Sequence, residues 1–394
     1  MPCKTSPPET LPMPRVLIVD DSALMRKQLV SMLADESDFE IETARNGREA
    51  LEQLERFGPD VITLDINMPE MDGLTALSHI MTRRPTPVIM VSSLTEKGAL
   101  ATLEAMALGA VDYVAKPDGT ISLSINQVRE DLLTKLRTAA QVRPRTGRPE
   151  RSGSSPVSAD GDARTSSQAT QSRVRPADRR PASKVPTVTT TQRLVAASAA
   201  ATRSHGLVLV GVSTGGPRTL ESILPRLPVY FPWPVVVAQH MPMAFTASFA
   251  NRLDGQCAMN VREISQPTPL EVGTIYIAQG GADLLISDRG GKLYGIVKPA
   301  DRRYNWHPSV QAMVESALLY CQPNSLITVM LTGMGDDGAD AMVEVHRRGG
   351  RTIAESERSS VVFGMPGELI KRGGAGVVLD AEEIAEQLVQ WAIH

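Results

Sequence analysis

Leu207-Val-Leu-Val-Gly-Val-Ser-Thr-Gly-Gly-Pro217 reads as a buried apolar strand running into a Gly-rich turn and then a helix. Outward from it, apolar runs recur at 235–238, 274–277, 326–331, 351–354 and 377–379. Such runs separated by helix-length segments predict a Rossmann-like α/β domain with a parallel sheet. Runs 284–287 and 293–297, joined across Asp288-Arg-Gly-Gly291, predict a β-hairpin within it. Toward the N terminus the alternation recurs, with runs at 16–19, 61–64, 88–91 and 112–114 and a weaker one at 41–43. Helix-period segments at 25–33, 49–57, 74–81 and 100–108 fall between them, so a doubly wound, five-stranded parallel sheet is expected there.

The two halves are separated by a stretch with no aromatic residue, rich in Ser, Thr, Arg, Pro and Ala, in which basic residues outnumber acidic ones. Such a composition cannot collapse into a core and predicts a long, disordered, basic linker. The expected division is 15–138, linker 139–204, and 205–394. A net charge of −3 over 394 residues gives no reason to expect a nucleic-acid partner. Cys3, Cys257 and Cys321 are too few for a disulfide framework and fit a reducing compartment. Residues 1–14 lack a signal-peptide core, and no apolar run approaches the ~18 residues that span a bilayer. A cytoplasmic monomer without membrane insertion is expected.

Ligands in parallel sheets bind beyond the carboxyl ends of the strands. In the first half that rule selects Asp20 and Asp21, Asp65, Ser92, and Lys116 with Pro117. Singly, an Asp here is a helix N-cap and Lys-Pro a turn. Together, three carboxylates at one sheet edge repel unless a cation neutralises them, and hard oxygen donors in an open site suit Mg²⁺ and a phosphoryl group. The hydroxyl and the ammonium beside them suit phosphoryl oxygens.

In the second half the rule selects Ser213, then His240 in Pro234-Val-Val-Val-Ala-Gln-His240, then the Asp pair of Gly333-Met-Gly-Asp-Asp-Gly338. A nucleophile, a base and an orienting acid from three strand ends are what acyl transfer needs, in any chain order. Gly215 and Gly216 allow close backbone approach to a carbonyl, and N–H groups near Thr214 and Gly215, with that of Met334, could bind an oxyanion. The rival local readings are a phosphate-binding loop or N-cap for Ser213 and a structural role for His240. No His-Glu-x-x-His or Cys/His metal spacing is present, and among the other histidines His307 alone stays open.

Residues 16–26, 64–74, 91–93 and 115–117 resemble response-regulator receivers. The resemblance implies that Asp65 accepts a phosphoryl group from a histidine kinase. It further implies that Asp20, Asp21, Asp65 and the Asn67 carbonyl hold Mg²⁺, and that Ser92 and Lys116 sense the phosphate. The second half resembles the chemotaxis protein-glutamate methylesterase family, through Ser213-Thr-Gly-Gly216, the His240 strand, Gly333–Gly338 and Val361-Val-Phe-Gly-Met-Pro366. That resemblance implies Ser213 as nucleophile, His240 as base and Asp337 as orienting acid, with Asp336 in a variable place. It implies glutamyl methyl esters of methyl-accepting chemoreceptors as substrate, deamidation of receptor glutamines as a second activity, and no cofactor in the catalytic domain. Two departures are Trp306-His307 before Pro308-Ser-Val310, where basic residues are usual, and Gln279 in place of a proline. The expected regulation is a receiver that covers the Ser213 cleft until Asp65 is phosphorylated. The competing functions are a DNA-binding regulator, which the α/β second half argues against, and a non-catalytic signalling adaptor.

Overall fold

Short β-branched segments such as Val61–Asp65, apolar on both faces, can only be satisfied between layers of helices, and the chain builds two such sandwiches. The computed structural model describes residues 13–34, 36, 38–93, 95–116, 125–142 and 206–393. The first sheet contains β1 (Arg15–Val19), β2 (Glu40–Ala44), β3 (Val61–Asp65), β4 (Val88–Ser92) and β5 (Asp112–Ala115), all parallel, in the order β2-β1-β3-β4-β5. Helices α1 (Ala23–Ala34) and α5 (Ile125–Gln141) bury Leu29, Leu33, Leu132 and Leu136 against one face. The other face is covered by α2 (Gly47–Arg56), α3 (Gly73–Arg83) and α4 (Glu96–Leu108), through Leu51, Leu54, Leu77, Ile80 and Leu103. The order reverses between β1 and β3, which opens a crevice beside Asp20 and Asp65. Helix α5 runs to Gln141, and the expected linker from 143 onward lies outside the described residues.

The second sheet is parallel throughout, in the order β15-β14-β13-β6-β7-β10-β8. Its strands are β6 (Leu207–Val212), β7 (Val235–Gln239), β8 (Asn260–Ile264), β10 (Thr274–Ala278), β13 (Leu326–Met330), β14 (Arg351–Glu355) and β15 (Val377–Leu379). Helices α6 (Gly216–Ile223), α7 (Met243–Asp254) and α11 (Ala381–Ile393) cover one face. The other is covered by α8 (Val310–Tyr320), α9 (Ala339–Arg347) and α10 (Met365–Lys371). The expected hairpin forms as β11 (Ala282–Asp288) and β12 (Leu293–Pro299), and β9 (Thr268–Pro269) adds a third antiparallel strand. Chain direction diverges from β6 toward β7 on one side and β13 on the other, so the crevice of this sheet lies at the end of β6.

Candidate functional site

Parallel register puts the chosen residues together. Val212 pairs with Gln239 across β6 and β7, so Ser213 and His240 leave the sheet as neighbours, tied by the His240 N–H to the Val212 carbonyl at 3.0 Å. On the other side of β6, the Ser213 N–H donates to the Thr332 carbonyl at 2.9 Å, past the end of β13. The loop that follows carries Asp337, whose Oδ2 lies 2.9 Å from His240 Nε2.

Asp337 is buried and meets the N-terminus of α8, where unpaired amides favour negative charge. It accepts from the N–H groups of Val310 (2.6 Å) and Gln311 (3.0 Å) and from Ser309 Oγ (3.0 Å). Burial pushes its carboxyl upward. The hydrogen bond and charge of His240, with the α8 amides, outweigh that and hold it below the usual carboxylate range. The Nε2 position of His240 is therefore engaged, while its Nδ1 is buried and has no hydrogen-bond partner among the described residues. Asp336 is turned away, toward Arg372 at 2.6 Å. His307 pairs with Asp283 at 2.9 Å, and His346 faces Thr352; neither joins the Ser213 cluster.

The turn after Ser213 is held rigidly. Gln239 Nε2 donates to the carbonyls of Ser213 (2.9 Å) and His240 (3.1 Å), and Thr332 Oγ1 donates to the Thr214 carbonyl (2.9 Å). A Cβ at Gly216 would stand 2.0 Å from Gln239 Oε1 and 2.6 Å from Val212 Cγ2, so any larger residue would push the Gln239 amide off the Ser213 and His240 carbonyls. Among the described residues the amides of Thr214, Gly215 and Met334 have no hydrogen-bond acceptor, so all three can still donate to a bound group. Gln239 and Thr332 escaped the sequence reading, which met Trp306 and Ser309 only in the segment that departs from the family pattern. Gln239, a polar residue closing an apolar strand, and Trp306, through that departure, carried a local signal. The Trp306 ring lies parallel to the His240 ring, with centroids 5.6 Å apart and 2° between planes.

In the first domain the expected pocket assembles. Ligand atoms of Asp20, Asp21 and Asp65 lie within 4.8 Å of one another. The Lys116 ammonium is 2.8 Å from Asp65 and 3.1 Å from Asp20. Burial raises the Asp65 carboxyl above its ordinary value, more than Lys116 lowers it. Asp20 Oδ2 is buried and, apart from that ammonium, has no hydrogen-bond partner among the described residues. Hard oxygen donors so arranged are compatible with Mg²⁺. Asn67 is exposed beside them. The Ser92 hydroxyl is engaged on α4, accepting from Thr102 Oγ1 at 2.8 Å, and Pro117 lies outside the described residues.

The domains meet beside the Ser213 turn. Thr214 Oγ1 donates to Asp112 Oδ2 of β5 at 2.5 Å, and Tyr113 stacks on Phe245 of α7 at 4.9 Å. Lys135 of α5 is half-buried beside Tyr113, 3.1 Å from Asp131 and 3.6 Å from Asp112. A cavity of ≈ 820 Å³ opens at the junction, lined by Val111 and Thr138 on one side and by Gly215, Arg218 and Val361 on the other.

A receiver-type pocket in one sheet and a Ser beside a His–Asp pair in the next define a class: a response regulator whose output domain has the layout of a serine hydrolase. Residues 16–124 match the response regulator receiver domain, and residues 208–388 match the CheB methylesterase family. The protein-glutamate methylesterase/protein-glutamine glutaminase 3 of Rhodospirillum rubrum is 55% identical over 380 residues, covering 96% of each chain. The enzyme numbered 2 of Rhodopseudomonas palustris is 48% identical over 96% of this chain and 98% of its own. That of Carboxydothermus hydrogenoformans is 46% identical over 95% and 98%. The chain belongs to the CheB family of protein-glutamate methylesterases/protein-glutamine glutaminases, a receiver domain followed by a methylesterase domain.

Proposed function

We propose that Ser213, His240 and Asp337 hydrolyse γ-glutamyl methyl esters on the helices of methyl-accepting chemoreceptors. The observation that carries this is the His240–Asp337 hydrogen bond at Nε2, with Nδ1 left unpartnered on a residue that neighbours Ser213. A carboxylate that accepts the Nε2 proton fixes the tautomer whose Nδ1 lone pair is basic. In the usual serine-protease layout the two ring nitrogens have the opposite roles, but the chemistry is the same.

Ser213 Oγ attacks the ester carbonyl carbon while its proton passes to His240 Nδ1. The carbonyl oxygen becomes an oxyanion facing the amides of Thr214, Gly215 and Met334, each such donor typically worth roughly 10²–10³ in rate. Collapse breaks the C–OCH₃ bond, and methanol leaves with the proton from His240. Water, deprotonated by His240, then releases the glutamate side chain and restores Ser213. With a receptor glutamine the leaving group is ammonia, consistent with the double name of the relatives. That name supports an enzyme rather than a non-catalytic adaptor.

Asp65 is the phosphoryl acceptor, with a histidine kinase as donor. Asp20, Asp21, Asp65 and the Asn67 carbonyl would hold Mg²⁺, which when bound neutralises phosphoryl oxygens. Lys116, already on Asp65 and Asp20, gains a phosphoryl partner, and Ser92 leaves its α4 contacts for the same group. No helix among the described residues is long and apolar enough to cross a membrane. In this reading the protein acts on receptor helices as a cytoplasmic monomer. The proposed division is 15–138 and 205–394 with a tether between, of which residues 139–141 belong to α5.

The test is methanol release from methylated receptor membranes, with and without a small phosphodonor and Mg²⁺. Release should vanish in Ser213→Ala, and phosphodonor stimulation should vanish in Asp65→Asn. Full release from Ser213→Ala would refute the assignment.

A further inference from the structure

Trp306 stands where relatives of this type were expected to carry a basic residue, and its place in the fold gives it work. Its indole lies parallel to the His240 imidazole at 5.6 Å, within the ~6 Å over which a tryptophan face attracts a cation. Its outer edge packs on Gly335, where a Cβ would stand 2.8 Å from Cζ2. Gly335 adopts φ +79° two residues before Asp337, so the indole is wedged between the base and the loop that carries the orienting acid. Three residues further on, Ser309 begins the set of donors that hold Asp337. One short segment therefore covers the ring of His240 and anchors its partner.

The Asp337 hydrogen bond fixes one nitrogen of the imidazole but leaves the ring free to swing about the bond to Cβ. A parallel aromatic surface removes that freedom. It also meets the ring on the face where charge develops, because His240 becomes imidazolium as Ser213 loses its proton. Charged residues of the neighbouring loops have partners of their own: Asp336 pairs with Arg372, Asp301 with Arg303 and His307 with Asp283, while Asp112 accepts from Thr214 and lies 3.6 Å from Lys135. Asp337 and the indole are the groups seen against the imidazole among the described residues.

We propose that Trp306 is a positioning residue for the base, fixing the imidazole plane of His240 and stabilising its protonated form during acyl transfer. This rests on His240 being the base, and the experiment separates the two claims. The rate at which a fluorophosphonate labels Ser213 is followed in the full-length protein from about pH 5 to about pH 9, spanning the histidine range. In Trp306→Ala the acid limb should move to lower pH by about one unit and the plateau should fall roughly tenfold, with Trp306→Phe in between. An acid limb that stays at the wild-type pH in Trp306→Ala, whatever the plateau does, overturns the proposal and leaves Trp306 a packing residue.

A second readout needs no substrate. With Trp233→Phe and Trp391→Phe, Trp306 is the one tryptophan of the three left, and its emission should fall as His240 gains a proton. That change should disappear with His240→Gln. Emission that ignores pH, or that titrates unchanged in His240→Gln, refutes the pairing even if Trp306→Ala does not fold. No labelling of Ser213 in the wild type would instead defeat the hydrolase reading, with the fluorescence titration still deciding whether ring and indole are coupled.

Discussion

Asp337 collects four hydrogen bonds, from His240, Ser309 and the amides of Val310 and Gln311. Burial works against its charge, yet these donors hold its carboxyl below the ordinary 3.8. A carboxylate depressed in the folded state contributes stability that is complete above its unfolded value and is lost as pH falls through the folded one. Melting temperature should therefore drop below about pH 4 in the wild type. In Asp337→Asn that part of the drop should flatten, and methanol release should fall by about 10⁴ because the imidazole loses its tautomer. An unchanged acid-side slope in the variant would show that the carboxylate is not its source. Residue types alone offered Ser213, His240 and two adjacent acids; the choice of Asp337 over Asp336 came only with the family pattern. Its physical basis, one carboxylate buried under α8 and the other on Arg372, depends on contacts far apart in the chain. The same holds for Thr332, whose bond to Thr214 spans 118 positions, and for Trp306 on His240. No local period encodes such pairs.

Elements apolar on both faces were legible, because central parallel strands have no polar face to blur the signal. Some edge and amphipathic elements were not, although the edge strands β2 and β15 and the helices α1 to α4 were. β8 carries Asn260, Arg262 and Glu263, and of its five residues only Val261 and Ile264 are buried, as suits an edge strand. Strand β9 is two residues long and ends in proline, and α5 hides its apolar stripe among Arg, Glu, Asp and Lys. The contact of α8 with Asp337 was equally hidden, since Pro308-Ser309-Val310 announces no more than a helix start. Ser309 Oγ accepts from the Ala312 amide at 3.2 Å while donating to Asp337, so one hydroxyl both caps the helix and holds the acid. Ser309→Ala should cost about 1 kcal/mol through the lost cap alone. It should also lower methanol release roughly tenfold, as expected when a buried carboxylate loses one donor. Ser309→Thr, which keeps the hydroxyl, should restore most of both. A melting shift without a kinetic one would confine Ser309 to capping.

At the scale of the whole molecule, the receiver touches the nucleophile turn itself. Asp112 holds the Thr214 hydroxyl one residue from Ser213, and α4, which carries the partners of Ser92, packs on α6 and α7. On the proposed function, a receiver docked there would exclude a receptor helix from the crevice and also place a carboxylate beside the amides assigned to the oxyanion. The second effect persists for a substrate small enough to enter the docked enzyme, which separates it from obstruction. A hydrogen bond to a charged group contributes ~1.5–3 kcal/mol, so its loss should move the docking balance by about 10- to 100-fold. In Asp112→Ala, methanol release without phosphodonor should rise toward the stimulated level, and the stimulation ratio should shrink. Lys135 keeps Asp131 as partner in that variant, so its ammonium is not stranded. Removal of the first ~200 residues should raise basal release at least as much, since it removes obstruction and carboxylate together. If Asp112→Ala activates hydrolysis of a small ester as strongly as that of receptor esters, the carboxylate acts on the chemistry. If only receptor hydrolysis rises, the contact works by holding the receiver in the way. If neither changes while the truncated chain is active, Asp112 is not part of the restraint.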